Sequence, residues 1–144
     1  MRRVKIVYRE RKAESPVRNK SAKTIVRRAD FLELMDFSGP AVDVFERDSE
    51  FVVEIELPGV DENDIKLLIY PGRLDIRGLK KEILPKEKLS FLRMEREFGP
   101  FQKEVVLPGD VDPDKAYAFM ENGVLTVVLA KPAGKGRKAH NKEK

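Results

Sequence analysis

Apolar and polar residues alternate with a period of two from Val42 onward, which is typical of β-strands that bury one face. Residues 51–57 show the pattern most clearly, because every second side chain there is apolar: Phe51, Val53, Ile55 and Leu57. Pro-Gly or Gly-Pro turns bound further runs of this kind at 65–69, 73–77 and 101–107. With a hairpin near the C-terminal end, about eight short strands are predicted, and their spacing indicates an all-β sandwich.

Residues 115–129 predict a β-hairpin with Asn122-Gly123 at its turn. Asn-Gly is favoured there because both central residues of a type I′ turn need positive φ. The strand before the turn is apolar on both faces, since Ala116, Ala118 and Met120 alternate with Tyr117 and Phe119. We therefore expect one face to meet the core and the other to meet a second surface.

Residues 1–40 lack this alternation and are predicted to form an N-terminal arm before a domain at 41–132. Residues 1–23 are mostly polar, and we expect them to be mobile apart from one short apolar group: Val4, Ile6, Val7 and Tyr8. Residues 24–37 have helical apolar spacing, and Ser38-Gly39-Pro40 would end the helix. The arm is therefore predicted to be flexible and partly helical, and the Gly- and Lys-rich residues 133–144 to form a short disordered tail.

Charge is segregated along the chain, although the net charge is only +4. Residues 1–28 sum to +9 and residues 131–144 to +5, whereas residues 29–130 sum to −10. Basic arms of this kind bind nucleic acid or anionic membrane, keep an oligomer soluble, or dock on an acidic domain. Most of the Lys and Arg residues in these arms have no aromatic residues between them. We therefore expect neither nucleic acid nor membrane as a main partner.

The chain offers little for catalysis, so we expect no enzyme activity, no metal and no cofactor. It has no cysteine, which suits a reducing cytoplasm, and its single histidine, His140, lies in the predicted tail. Asp110, Asp112, Asp114 and Glu121 have the spacing of an EF-hand loop, but Lys115 replaces the glycine of its sharp turn. No apolar run approaches membrane-spanning length, and we expect a soluble, unprocessed, cytoplasmic protein.

Three motifs together resemble the small heat shock protein (α-crystallin/Hsp20) family: Leu57-Pro-Gly-Val60, Phe101-Gln-Lys-Glu-Val-Val-Leu-Pro108 and Ala118-Phe-Met-Glu-Asn-Gly-Val-Leu125. The resemblance implies an immunoglobulin-like antiparallel β-sandwich, the α-crystallin domain, that forms a homodimer and larger homo-oligomers. It also implies a stress-response chaperone, an ATP-independent holdase that binds partly unfolded client proteins. One interpretation of the predicted helix is that its apolar face packs on the domain. The resemblance implies instead that this face makes client or oligomer contacts, through Ile25, Leu32, Met35 and Phe37.

The charged stretch 79–90 has Ile83 and Leu84 at its middle, which is unusual for a solvated loop. One interpretation is a hairpin connection that packs back on its own domain. The family resemblance implies instead a dimer loop, with Ile83, Leu84 and Leu89, whose edge strand pairs with a neighbour's sheet. Lys103 stands where the family commonly has Arg, which changes a bidentate ion-pair donor into a point charge.

In the family, a groove between two edge strands receives a C-terminal Ile-x-Ile pair from a neighbouring chain. The matching lining here would be Leu67, Ile69, Tyr117 and Phe119, but residues 131–144 contain no such pair. Val4-Lys5-Ile6 in the basic arm has apolar side chains at i and i+2, so the Val4/Ile6 pair is a candidate replacement. The alternative is that these residues are only an apolar spot in a disordered arm.

Two other functional classes stay open at this stage. A sandwich of the related p23/CS type would act as an adaptor that docks one specific protein partner. A basic-armed nucleic-acid protein would show steep salt-dependent binding of DNA or RNA.

Overall fold

The computed structural model describes residues 1–11 and 39–133, and it forms nine β-strands there. They are β1 Arg2–Val4, β2 Ile6–Arg9, β3 Val42–Glu46, β4 Glu50–Glu56, β5 Ile65–Tyr70, β6 Arg73–Lys80, β7 Gly99–Val106, β8 Ala116–Glu121 and β9 Val124–Ala130. Short 3₁₀ helices lie at Glu62–Asp64 and Pro113–Lys115. The predicted helix at 24–37 and the predicted tail at 133–144, apart from residue 133, lie outside the described residues.

The strands form two sheets that pack face to face, which confirms the all-β sandwich. The five-stranded sheet has the order β1-β8-β9-β4-β3, and the four-stranded sheet has the order β2-β5-β6-β7. All pairs of neighbouring strands are antiparallel except β2 and β5, which run parallel. β1 and β2 follow each other in the chain but belong to different sheets, so residues 2–9 cross from one sheet to the other.

The core consists of the inward-facing residues of both sheets, as the alternation predicts. Ile55, Leu67, Ile69, Leu74, Ile76, Leu125 and Leu129 are each fully buried. The hairpin turn is formed as expected, since Asn122 and Gly123 have φ values of 54° and 77°. Its Gly123 carbonyl accepts a hydrogen bond from the Leu57 amide at 2.7 Å, which ties the turn to the end of β4.

Candidate functional site

The N-terminal segment occupies the side of the sandwich where the edges of the two sheets meet. β1 pairs antiparallel with β8 and places Val4 opposite Ala118, and β2 pairs with β5 and places Ile6 opposite Leu67. The pairing continues past β2, because the Glu10 amide donates to the Ile69 carbonyl at 2.8 Å. Val4 is 2% exposed and belongs to the core cluster, and Ile6 packs against that cluster. Two apolar side chains of the predicted arm therefore lie between the edges of β8 and β5.

Basic side chains hold the same segment to acidic and carbonyl groups of the domain. Arg2 contacts the Glu62 carboxylate at 2.9 Å, and this hydrogen bond and charge raise the pKa of Arg2. The Arg9 guanidinium donates to the carbonyl oxygens of Pro113 and Ala116, the latter at 3.3 Å. Arg11 pairs with Asp114 at 3.0 Å. The segregation of charge along the chain thus has a direct counterpart in contacts between the basic start of the chain and the acidic domain.

The four residues predicted to line the groove fall on two different surfaces. Leu67 and Ile69 face the interior, in the same cluster as Val4. Tyr117 and Phe119 lie on the outer face of β8, because their neighbours Ala116, Ala118 and Met120 take the inward positions. That Tyr117 and Phe119 line a groove together with Leu67 and Ile69 stays a prediction. Both faces of β8 are apolar, and the register with β1, which puts Ala118 beside Val4, decides between them.

Residues 81–98, which join β6 to β7, form no strand and expose several large apolar side chains. Ile83 is 87% exposed and Leu92 is 97% exposed, and Leu84, Leu89, Phe91 and Met94 are also exposed. At the start of this loop, Lys81 forms an ion pair with Asp64 at 3.2 Å. The interpretation in which Ile83 and Leu84 pack back on their own domain does not match these exposures. Exposed apolar patches commonly mark contact surfaces of a protein.

Other candidate positions have structural roles. Lys103 lies on the inward face of β7, opposite Ile76, and is 5% exposed. Asp112 accepts a hydrogen bond from the Asp114 amide and so caps the 3₁₀ helix at Pro113–Lys115, while Glu121 ends β8. Within residues 1–11 and 39–133, no group of three or more acidic, histidine or cysteine side chains is placed to hold a metal ion. The client-contact residues Ile25, Leu32, Met35 and Phe37 lie outside the described residues.

No helix within residues 1–11 and 39–133 is long and apolar enough to cross a membrane.

Comparisons with known proteins agree with this architecture. The model of the Hsp20/alpha crystallin family matches residues 43–143. Small heat shock protein C2 of Rickettsia felis is 36% identical over 100 residues, which cover 69% of this chain and 65% of that protein. Spore protein SP21 of Stigmatella aurantiaca is 37% identical over 92 residues, or 64% of this chain and 54% of that protein. The chain thus spans between about half and two thirds of the length of these curated relatives.

Solved structures are similar as well. Heat shock protein 16.0 from Schizosaccharomyces pombe has a TM-score of 0.62 at 31% identity, with 70% of this chain and 79% of that chain covered. A small heat-shock protein from Xylella fastidiosa has a TM-score of 0.58 at 34% identity, with 67% of this chain and 88% of that chain covered. That protein is described as having a distinct high order structure. The hspA protein of Xanthomonas axonopodis has a TM-score of 0.56 at 38% identity, with 66% of this chain and 96% of that chain covered. On the family match and these similarities, the chain belongs to the Hsp20/alpha crystallin family of small heat shock proteins.

Proposed function

We propose that the protein is an ATP-independent holdase, which binds partly unfolded proteins and suppresses their aggregation. The observation behind the proposal is the exposed apolar loop 81–98 on a sandwich that is otherwise well packed. Unfolding exposes apolar surface on a client, and covering such surface stabilises a complex by roughly 25 cal/mol per Å². Capture of this kind needs no nucleotide, and it competes with aggregation as long as the chaperone surface is available. The cytoplasm is the proposed compartment, and a chain without cysteine suits it.

We further propose that Ile83, Leu84 and Leu89 belong to a dimer contact, so that part of the exposed loop is buried in a homodimer. Ile83 is 87% exposed, and a residue of this type gains about 1.5 to 3 kcal/mol when it is fully buried. Within residues 1–11 and 39–133 the loop pairs with no strand, whereas a neighbour's sheet edge would satisfy its backbone as well as its apolar side chains. Larger homo-oligomers would use other surfaces, including the sequence-predicted contacts Ile25, Leu32, Met35 and Phe37.

The third part of the proposal is that Val4 and Ile6 are the resident ligand of the groove between β8 and β5. The strand pairings on both sides of Lys5 and the burial of Val4 support it. Because an equivalent segment of a neighbouring chain would make the same contacts, the segment acts either in cis or by exchange between dimers. The groove then needs no apolar pair from the C-terminal end of the chain.

Light scattering from several unrelated, heated or reduced client proteins tests the holdase proposal. Scattering should fall at near-stoichiometric amounts of this protein without ATP. Leu92→Ser/Met94→Ser, which leaves the proposed dimer contact intact, should suppress aggregation less well than the matched polar control Lys86→Ser/Lys88→Ser. Unchanged scattering with all clients would contradict the proposal. Tight stoichiometric binding of one native protein, without suppression of aggregation, would favour an adaptor of the p23/CS type instead.

A further inference from the structure

The outer face of the five-stranded sheet has an apolar row that crosses four strands. Phe45 lies opposite Val52, Val52 opposite Val128, and Val128 opposite Tyr117. The two valines form the floor of this row, with exposed fractions of 1% and 5%, whereas the rings at its ends are 41% exposed at Phe45 and 50% exposed at Tyr117. Phe119 enlarges one end, because its ring stacks on that of Tyr117 with centroids 6.5 Å apart. The row (Phe45, Val52, Val128, Tyr117) is called the aromatic-ended row below.

Carboxylates follow the aromatic-ended row on the same face. Asp43 lies opposite Glu54 in the next row of side chains, and Glu56 and Glu121 lie opposite Val124 in the row after that. None of these four carboxylates forms an ion pair with another residue in the described part of the chain. Basic groups on this face lie at its margins: Arg3 is opposite Phe119, and Arg47 pairs with Glu50 at 2.8 Å.

The outer face of the four-stranded sheet differs in its charge balance. Its carboxylates Asp75 and Glu104 both contact Arg73, at 3.0 Å and 3.2 Å, and the Arg73 guanidinium stacks over the Tyr70 ring at 4.0 Å. Arg77 also lies 3.9 Å from Asp75, so two guanidinium groups balance these two carboxylates within the fold. The unpaired carboxylates beside the aromatic-ended row are therefore a property of one sheet, and they give that face an attraction for cations that the other lacks.

We propose that the aromatic-ended row and the carboxylates beside it form a docking surface for client segments in which apolar side chains alternate with Lys and Arg. The proposal rests on the holdase function and specifies the class of client segment. Strand spacing puts Phe45 and Tyr117 about 14 Å apart, which matches side chains at i and i+4 of an extended segment. Such a segment covers both exposed rings with its apolar side. Its Lys and Arg side chains leave the other side of the backbone, and their long stems let the charged ends bend past the edge of the segment toward the carboxylates of the neighbouring rows.

Three labelled peptides of equal length test the preference in a fluorescence-anisotropy titration of the full chain. The first alternates Leu or Phe with Lys, the second replaces Lys with Glu, and the third keeps Lys but replaces the apolar residues with Ser. We expect the first to bind about 10-fold more tightly than either of the others, a difference of about 1.4 kcal/mol. The preference over the Glu peptide should shrink as salt is raised, because salt screens exposed charges. Equal affinity for the Lys and Glu peptides would overturn the proposal.

Two variants locate the binding. Phe45→Ser/Tyr117→Ser should lower the affinity for the first peptide about 10-fold. Glu54→Gln/Glu56→Gln should remove most of the preference for the Lys peptide over the Glu peptide. The matched control Val7→Ser/Leu79→Ser removes two apolar side chains of similar exposure outside this face and should bind as the parent does. Retained amide-exchange protection of β4 and β9 shows that each variant is folded. Loss of binding in the control alone would place the site elsewhere and overturn the proposal.

Other occupants give different results. Residues 18–28 of the chain are themselves basic and partly apolar. If replacing their Lys and Arg with Gln tightened peptide binding, the chain's own segment would be the occupant and the proposal would be overturned. A fall in native mass in Phe45→Ser/Tyr117→Ser would indicate a second copy of the chain and would also overturn it. If the parent protein suppresses client aggregation but shows no peptide preference, only this inference fails, and if it suppresses none, the holdase function fails.

Discussion

The N-terminal segment 2–9 and the loop 81–98 both mix apolar with charged residues, but only the first is folded into the sandwich. The N-terminal segment finds two free sheet edges in its own chain, β8 and β5, and it pairs with both. The loop leaves β6 and returns at β7, and those two strands already pair with each other from Lys80↔Gly99 onward. Composition does not distinguish the two segments. Strand pairing does: the N-terminal segment lies along two sheet edges, whereas the loop forms no strand along any described edge, including the outer edge of β7 that it leads into.

The variant with the largest expected effect replaces residues 81–88 of the loop with a short Gly/Ser linker. If the loop's apolar residues find their partner in a second chain, the variant should be a folded monomer with about half the mass of the dimer. Sedimentation velocity measures the mass, and circular dichroism or amide exchange reports the fold.

The matched control for the linker variant is Lys86→Ser/Lys88→Ser, which changes charge in the same loop and keeps Ile83 and Leu84. It should stay dimeric. A linker variant that remains a dimer would show that the loop is not the dimer contact, and the exposed apolar loop would then be open to clients in every state of the protein.

Much of the fold could be predicted from the sequence because the core strands have local signals. The alternation at 51–57 and the Asn122-Gly123 turn both depend on neighbours only a few residues away, and the structure forms β4 and the hairpin there. The N-terminal strands could not be recognised as sheet in this way. β1 and β2 are three and four residues long, and their partners are more than fifty residues distant in the chain.

The binding surfaces were predictable only in part, for a reason visible in β8. Its sequence is apolar on both faces, so period-two alternation does not tell which face is inside. The small residues Ala116 and Ala118 face inward and leave room for Val4, while the large rings of Tyr117 and Phe119 face outward. Side-chain size was a usable signal here. A groove that holds a strand needs small side chains on the wall nearest the bound backbone.

A second test substitutes the two apolar residues of the N-terminal segment, Val4→Ser/Ile6→Ser. Fully burying a residue such as Val stabilises by about 1.5 to 3 kcal/mol, so the segment should detach from β8 and β5 while the remaining strands stay folded. The rate of amide exchange at Glu10, whose amide donates a hydrogen bond to the Ile69 carbonyl, should rise strongly. The freed groove should then bind an added Ile-x-Ile peptide, which isothermal titration measures.

The control for that variant is Lys5→Ser/Val7→Ser, which alters the same segment at two exposed positions. It should keep the slow exchange at Glu10 and should not bind the peptide. If Val4→Ser/Ile6→Ser retained the parent's native mass and peptide affinity, the segment would not be the groove's ligand. The N-terminal segment would then differ from the loop in its fold but not in its function.

The smallest effect is expected from the ion pair between Arg2 and Glu62, which joins the start of β1 to the 3₁₀ helix at Glu62–Asp64. Arg2 is largely exposed, and exposed pairs contribute little to stability. Arg2→Gln should therefore raise the rate of amide exchange in β1 much less than Val4→Ser/Ile6→Ser does, and added salt should reduce the difference from the parent protein.

Arg3→Gln is the natural control, since Arg3 lies next in the chain, faces the opposite side of the sheet and has no ion pair with any residue in the described ranges. Combining Arg2→Gln with Glu62→Gln completes a double-mutant cycle, in which the second substitution should add little to the first. Equal effects of Arg2→Gln and Arg3→Gln would show that general charge attraction holds the basic segment to the acidic domain, and that this pair adds nothing of its own.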